Sequence, residues 1–288
     1  MIASPLKYQG NKLQLMPSIL TLLPDDTDRL LDLFGGSGVV SASVSSARNI
    51  PCLYNELDPV IYAIMVMLSA TPKQAFESEV VRFIKEFGLT SKQCEAGYDR
   101  MVNHVNAQFK SGEYPNLILL WLISRHAHSN LLRMSSVNGT KVNIKFGRRY
   151  IADRLPSVFA EVDAFRNATR NVQFVNKNYL DVLRSVDGQL DSGDVLYFDP
   201  PYYASGQFVY RCTWGEREEQ ELLAVLSELN RRGRRFMLSN VVRHGEFMNL
   251  WLVKWMRKFN VHDIDASYSL SNAYTQRGKT REVIITNY

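Results

Sequence analysis

Apolar residues follow two rhythms along this chain. Compact apolar runs fall at Leu30 to Phe34 and at 51-PCLYNE-56, 172-VQFV-175, 194-DVLYF-198, 235-RFMLSN-240, 259-FNVHDI-264 and 283-VIIT-286. Runs this short and continuous predict strands buried on both faces. Helical spacing predicts helices at 39-VVSASVSSA-47 and at 59-PVIYAIMVML-68, the latter with Pro59 in its first turn. A third helix is expected at 216-EREEQELLAVLSELN-230, where Leu222, Leu223, Val225, Leu226 and Leu229 form one face. A chain that begins strand, helix, strand, helix predicts an α/β fold around a parallel sheet.

From about Ala70 to Ala168 the rhythm changes. Amphipathic stretches 75-AFESEVVRFIKEF-87 and 116-NLILLWLISRHA-127 stand there, with no buried strand run. The simplest organisation is a discontinuous α/β domain of residues 1–69 and 169–288, interrupted by an inserted helical unit of residues 70–168.

Composition adds limits. With 288 residues and 45% hydrophobic side chains the chain can bury a full core. Its longest apolar runs, 60–68 and 116–123, are too short for a membrane span, and the N-terminus lacks a signal-peptide layout, so a cytoplasmic protein without membrane contact is expected. Cys52, Cys94 and Cys212 and the five histidines are scattered, which predicts neither a disulfide framework nor a metal site. A net charge of +5 suits a polyanionic partner without requiring one.

Ligands of open α/β sheets bind beyond the carboxyl ends of the strands. At the first such end, 34-FGGSG-38 offers backbone that a ligand can approach closely and a helix N-terminus behind it. The same glycines would also serve a plain strand-to-helix turn. Glu56 ends the next strand, 24 residues after Asp32, the separation expected for an acid that grips ribose hydroxyls. Together they point to an adenosine-bearing cofactor without choosing among nicotinamide, nucleotide and S-adenosylmethionine.

The strand 194–198 runs into 199-DPPYY-203. The two prolines hold the following backbone extended and remove its amide donors. What remains is a set of acceptors, the Asp199 carboxylate and the Pro200 carbonyl, beside the flat ring of Tyr202. Two acceptors bonded to the hydrogens of a ring-conjugated amine draw its nitrogen lone pair toward the nucleophilic, tetrahedral state. An exocyclic amino group of a nucleobase fits this description.

In their order, 5-PLKYQGNK-12, 32-DLFGGSG-38, 199-DPPY-202 and 280-TREVIITNY-288 resemble four blocks of the Dam-type DNA adenine-N6 methyltransferases. The likeness spans nearly the whole chain. It implies a Rossmann-like S-adenosylmethionine-dependent methyltransferase sheet with an inserted, mainly helical DNA-recognition domain containing a β-hairpin. Carried over by position, it implies S-adenosyl-L-methionine held by Tyr8, Lys12, Asp32, Phe34, Gly35, Gly36, Ser37, Gly38, Glu56, Tyr179 and Asp199. Catalysis would fall to Asp199, Pro200, Pro201 and Tyr202. The family often has aspartate in place of Glu56 and tryptophan in place of Tyr8; around Tyr179, Lys177 and Asn178 also depart from its pattern.

The segment 133-RMSSVNGTKVNIKFGRRY-150 holds five cations and no acid, with an Asn138-Gly139 hairpin signal in its middle. A basic hairpin can enter the major groove, cations on phosphates and polar groups on base edges. Its ending, 143-NIKFG-147, resembles that of the family's recognition hairpin. The candidate DNA contacts are Arg133, Ser135, Asn138, Lys141, Asn143, Lys145 and Arg148, with Lys7 where the family places a lysine on the first base of its site. The expected activity is adenine-N6 methylation of double-stranded DNA by a monomer, at GATC or a related short site, the target base flipped from the duplex and no metal required. Cytosine N4, an RNA adenine, or a silent DNA-binding protein of the same fold are the rival readings.

Overall fold

The computed structural model describes residues 1–7, 10–128, 132, 141–203, 214–264 and 280–288. Its centre is one sheet. Strands β1 (Arg29–Asp32), β2 (Cys52–Asn55), β3 (Val172–Val175), β4 (Asp194–Phe198) and β5 (Arg235–His244) lie parallel in the order β3-β2-β1-β4-β5. A short β6 (Phe247–Met248) folds back on β5, and β7 (Asn260–Ile264) completes the far edge. Between β5 and β7 runs β8 (Thr280–Thr286), antiparallel to both. The expected strands are all present. The reversal of β8 has a consequence for the site, because it brings that strand's first residues to the carboxyl end of β5.

Alternate residues of each central strand enter different cores. Leu31, Leu196, Phe198, Phe236, Leu238, Val283 and Ile285 pack against α8 (Tyr179–Val186), α9 (Glu216–Arg231) and α10 (Leu250–Trp255). Leu30, Val195, Tyr197, Met237 and Ile284 face α1 (Met16–Leu22) and α2 (Val39–Arg48). Because both faces are covered, the strands read as unbroken apolar runs rather than alternating ones.

Helices α3 (Pro59–Ala70), α4 (Lys73–Phe87), α5 (Glu95–Ser111), α6 (Leu117–His126) and α7 (Leu155–Ala168) build a third core around Phe76, Trp121 and Phe165. This core includes Ala42 and Tyr54 of the sheet layer, and Tyr54 stacks at 5.0 Å on Phe174. The segment 70–168 is therefore packed onto α2, α3 and the edge of the sheet. Helix α5 was not among the helices expected from the sequence, although Tyr98, Met101 and Val105 form its buried stripe at three- and four-residue spacing. Asn106 has a structural use: its side-chain amide pairs with both backbone groups of Val142, at 2.7 and 3.1 Å.

Candidate active site

The strand order reverses between β1 and β4, and it is beyond the carboxyl ends of strands at such a reversal that open α/β sheets bind ligands. The glycine loop leaves β1 there. Two of its glycines are required by geometry. A Cβ on Gly35 would come within 2.2 Å of the Tyr54 ring, whose hydroxyl donates to the Gly36 carbonyl, and Gly38 has φ +70° at the start of α2. Glu56, half-buried, accepts from the Gly36 amide at 2.9 Å and from the Asp58 amide at 2.8 Å, tying the loop to the end of β2. Ser37 lies buried in the loop.

Beside the loop stands an aromatic wall. Phe34 lies 5.1 Å from Tyr179, 5.8 Å from Trp214 and 6.4 Å from Phe198 between ring centroids. Sequence reading found Phe34 and Tyr179 and missed Trp214. The Trp214 indole donates to Glu219, a fully buried carboxylate that also receives the side-chain amides of Asn240 and Asn249. Glu219 shares the apolar stripe of α9 with Leu222, Leu223 and Leu226. An acid on a core-facing stripe was the signal available in the sequence.

The β4 end supplies the polar centre. Lys12, 5% exposed, places Nζ 2.7 Å from Asp199 Oδ2 and donates to the Gly10 carbonyl at 2.8 Å. The same ammonium lies 5.1 Å from the Tyr202 ring centroid. The Tyr202 hydroxyl is 3.0 Å from Asp199 Oδ1 and 3.0 Å from Oε1 of Glu282, a buried residue of β8 that the sequence reading did not single out. Pro200 is buried, and Pro201 and Tyr202 are half-buried.

Burial raises the Asp199 pKa, and the Lys12 ammonium opposes that rise. Burial likewise pushes Glu56 up to about 7. Asp32, 1% exposed, is also pushed up to about 7 by burial, although Ser41 donates to its Oδ2 at 2.7 Å; its Oδ1 has no hydrogen-bond partner. Among the described residues, Lys12 is the one cation paired with these carboxylates. Burial thus favours the neutral form of these carboxyls, and Lys12 opposes it at Asp199.

Asp32 makes a stability prediction. Its ordinary value is 3.8 and its folded value about 7, so between these pH values folding takes up a proton. Stability is highest at the acid end of that window and falls as pH rises through it. At pH 8 the folded protein carries the whole cost, on the order of a few kcal/mol. Asp32→Asn is expected to raise the melting temperature at pH 8 and to leave it nearly unchanged at pH 4, as checked by thermal unfolding at the two pH values.

The expected recognition residues are brought together in part. In 141–147 exposure alternates: Lys141, Asn143 and Lys145 point outward, while Val142 and Phe146 are buried. Tyr98 fixes the inner side, donating to the Ile144 carbonyl at 3.0 Å and stacking on Phe146 at 5.5 Å. Ala127 and Phe146 form an antiparallel bridge. Arg148 is exposed, with φ +54°. Tyr8, Arg133, Ser135 and Asn138 lie outside the described residues. Lys7 is paired with Glu161 at 2.5 Å; Glu161 also receives Arg125, which with Trp121 donates to the Pro5 carbonyl.

The sheet with its reversed β8, and a glycine loop facing an Asp-Pro-Pro-Tyr turn across the switch point, define an α/β protein of the methyltransferase class. Residues 8–270 match the description "D12 class N6 adenine-specific DNA methyltransferase", and the chain belongs to that family. It is 32% identical over its whole length to the type II methyltransferase M.FokI of Planomicrobium okeanokoites, and 28% identical over 99% of its length to the modification methylase LlaI of Lactococcus lactis subsp. lactis. It covers 43% of each of these two relatives, less than half their length. It is also 22% identical to the retron Ec67 DNA adenine methylase of Escherichia coli, covering 89% of that protein. No described helix is long and apolar enough to cross a membrane.

Proposed function

We propose that this chain transfers a methyl group from S-adenosyl-L-methionine to the N6 amino group of adenine in duplex DNA, at GATC or a related short site. The observation that carries the reading is the Lys12–Asp199 pair at the switch point, which presents a fixed carboxylate next to Tyr202. The residues fit the cofactor. The unpartnered Asp32 Oδ1 suits its ammonium group, and the Phe34–Tyr179 wall suits its adenine. Glu56 keeps lone pairs for ribose hydroxyls beside the amides it already accepts.

When bound, S-adenosylmethionine supplies an electrophilic methyl group. Asp199 and the Pro200 carbonyl accept the hydrogens of the flipped base's amine and build negative charge onto its nitrogen, while the Tyr202 ring stacks on the base. Lys12 fixes the Asp199 carboxylate in one orientation. Residues 70–168 serve as the recognition unit, with Lys141, Lys145 and Arg148 on phosphates and Asn143 on a base edge, joined by Arg133, Ser135 and Asn138. Lys7 leaves Glu161 to meet the first base.

The test is to express the protein with DNA lacking adenine methylation and to read modified bases at single-nucleotide resolution. N6-methyladenine confined to one short motif supports the reading and names the site. N4-methylcytosine, methylated RNA or unmodified nucleic acid would replace it with one of the rivals. On the binding side, Lys141→Ala and Lys145→Ala are each expected to weaken duplex binding without changing sequence preference, and to reduce the slope of log K against log salt by about 1. Anisotropy titrations over a salt series measure this.

A further inference from the structure

Both oxygens of the Asp199 carboxylate already have partners. Oδ2 receives Lys12 at 2.7 Å and Oδ1 faces the Tyr202 hydroxyl at 3.0 Å. A target amine reaching Oδ1 therefore competes with that hydroxyl. The hydroxyl has one proton to give and a second carboxylate oxygen at the same 3.0 Å, Oε1 of Glu282. We propose that Glu282 is a positioning residue for methyl transfer: it takes the Tyr202 hydrogen bond when the substrate amine arrives, releasing Asp199 Oδ1 and holding the Tyr202 ring in its stacking plane. The proton stays on Tyr202 throughout; only its acceptor changes.

The fold explains why Glu282 is available. Strand β8 runs against β5, so Glu282, paired in register with Val241 and Ile264, lies at the carboxyl end of the parallel strands, where the substrate is handled. It is 3% exposed, the first buried residue of β8 after the exposed Thr280 and Arg281, and the strand continues into the buried Val283, Ile284 and Ile285. A carboxylate is costly to bury and is kept where its oxygens have work with a polar partner. Here that partner is Tyr202.

This role rests on the function proposed above, and one set of assays separates the two. Tritiated methyl incorporation into unmethylated bacterial DNA, KM for that DNA and the cofactor dissociation constant are measured for the wild type, Glu282→Met, Glu282→Gln, Tyr202→Phe and Tyr202→Phe/Glu282→Met. Glu282→Met, which leaves the hydroxyl on Asp199, is expected to lower kcat roughly 10- to 100-fold with KM and cofactor affinity changed less than about threefold. Glu282→Gln, whose carbonyl oxygen still accepts, should keep kcat within about threefold of the wild type. The decisive variant is the double one. Removing the hydroxyl frees Oδ1, so Tyr202→Phe should restore Glu282→Met to within about fivefold of Tyr202→Phe alone.

A double variant as slow as Glu282→Met, or a Glu282→Met enzyme as fast as the wild type, overturns the role. If Glu282→Met does not fold, Glu282→Gln decides: near-normal turnover supports the role, and a loss above about tenfold at unchanged KM overturns it. A wild type that binds the cofactor and puts no methyl on adenine overturns the function itself, and this positioning role with it.

Discussion

Asp199→Ala is expected to lower methyl transfer roughly 10³-fold while duplex affinity stays within a few-fold of the wild type. Three effects act together. The substitution removes the acceptor that draws the amine hydrogens, leaves the buried Lys12 ammonium without its carboxylate, and deprives the Tyr202 hydroxyl of one of its two acceptors. None of these groups belongs to the outward face of Lys141, Asn143 and Lys145, which is why DNA affinity should survive. Asp199→Asn keeps one acceptor oxygen without the charge and should fall between alanine and the wild type. Single-turnover methylation with labelled cofactor, beside anisotropy with unmethylated duplex, checks both arms. Turnover of Asp199→Ala within about tenfold of the wild type would remove Asp199 from the chemistry.

Lys12→Met is expected to cost roughly 100-fold or more in kcat near neutral pH, because breaking a buried ion pair leaves its partner uncompensated. The loss should depend on pH in a defined direction. Burial already raises the Asp199 pKa, and Lys12 is the main influence holding it down; Glu282 pushes it further up. Without Lys12 the carboxyl titrates at higher pH. The acceptor form is then lost at pH values where the wild type still has it, so the acid limb of the kcat profile moves upward. The variant should be most impaired at pH 6 and recover part of its rate by pH 9. A loss equal at all pH values would mean that Lys12 acts by packing alone, through its neighbour Tyr202 and the Gly10 carbonyl.

Much of the sheet and of the candidate site was legible because it depends on local rules. Strands covered on both faces must be apolar throughout, and such runs marked the strands of the sheet other than the short, exposed β6. Gly35 and Gly38 were legible because a close approach and a left-handed backbone exclude side chains. Asp199 and Tyr202 were legible because two prolines in a row leave few conformations at a strand end. Helices α5 and α7 were less so. Their polar residues serve contacts with distant segments, such as Asn106 with Val142 and Glu161 with Lys7 and Arg125.

The sequence by itself determined an α/β sheet, a glycine loop, an acceptor-rich turn and a basic segment interrupted by Asn138-Gly139, because each follows from the chemistry of neighbouring residues. Only the tertiary structure decided which groups meet. Lys12 reaches Asp199 across 187 positions of sequence and Glu282 reaches Tyr202 across 80. Trp214 and Glu219 join the wall of the glycine loop from α9 and the turn before it. Such pairings are set by strand order and by the reversed direction of β8, long-range choices of packing that hydrophobic periodicity in one stretch of chain does not encode.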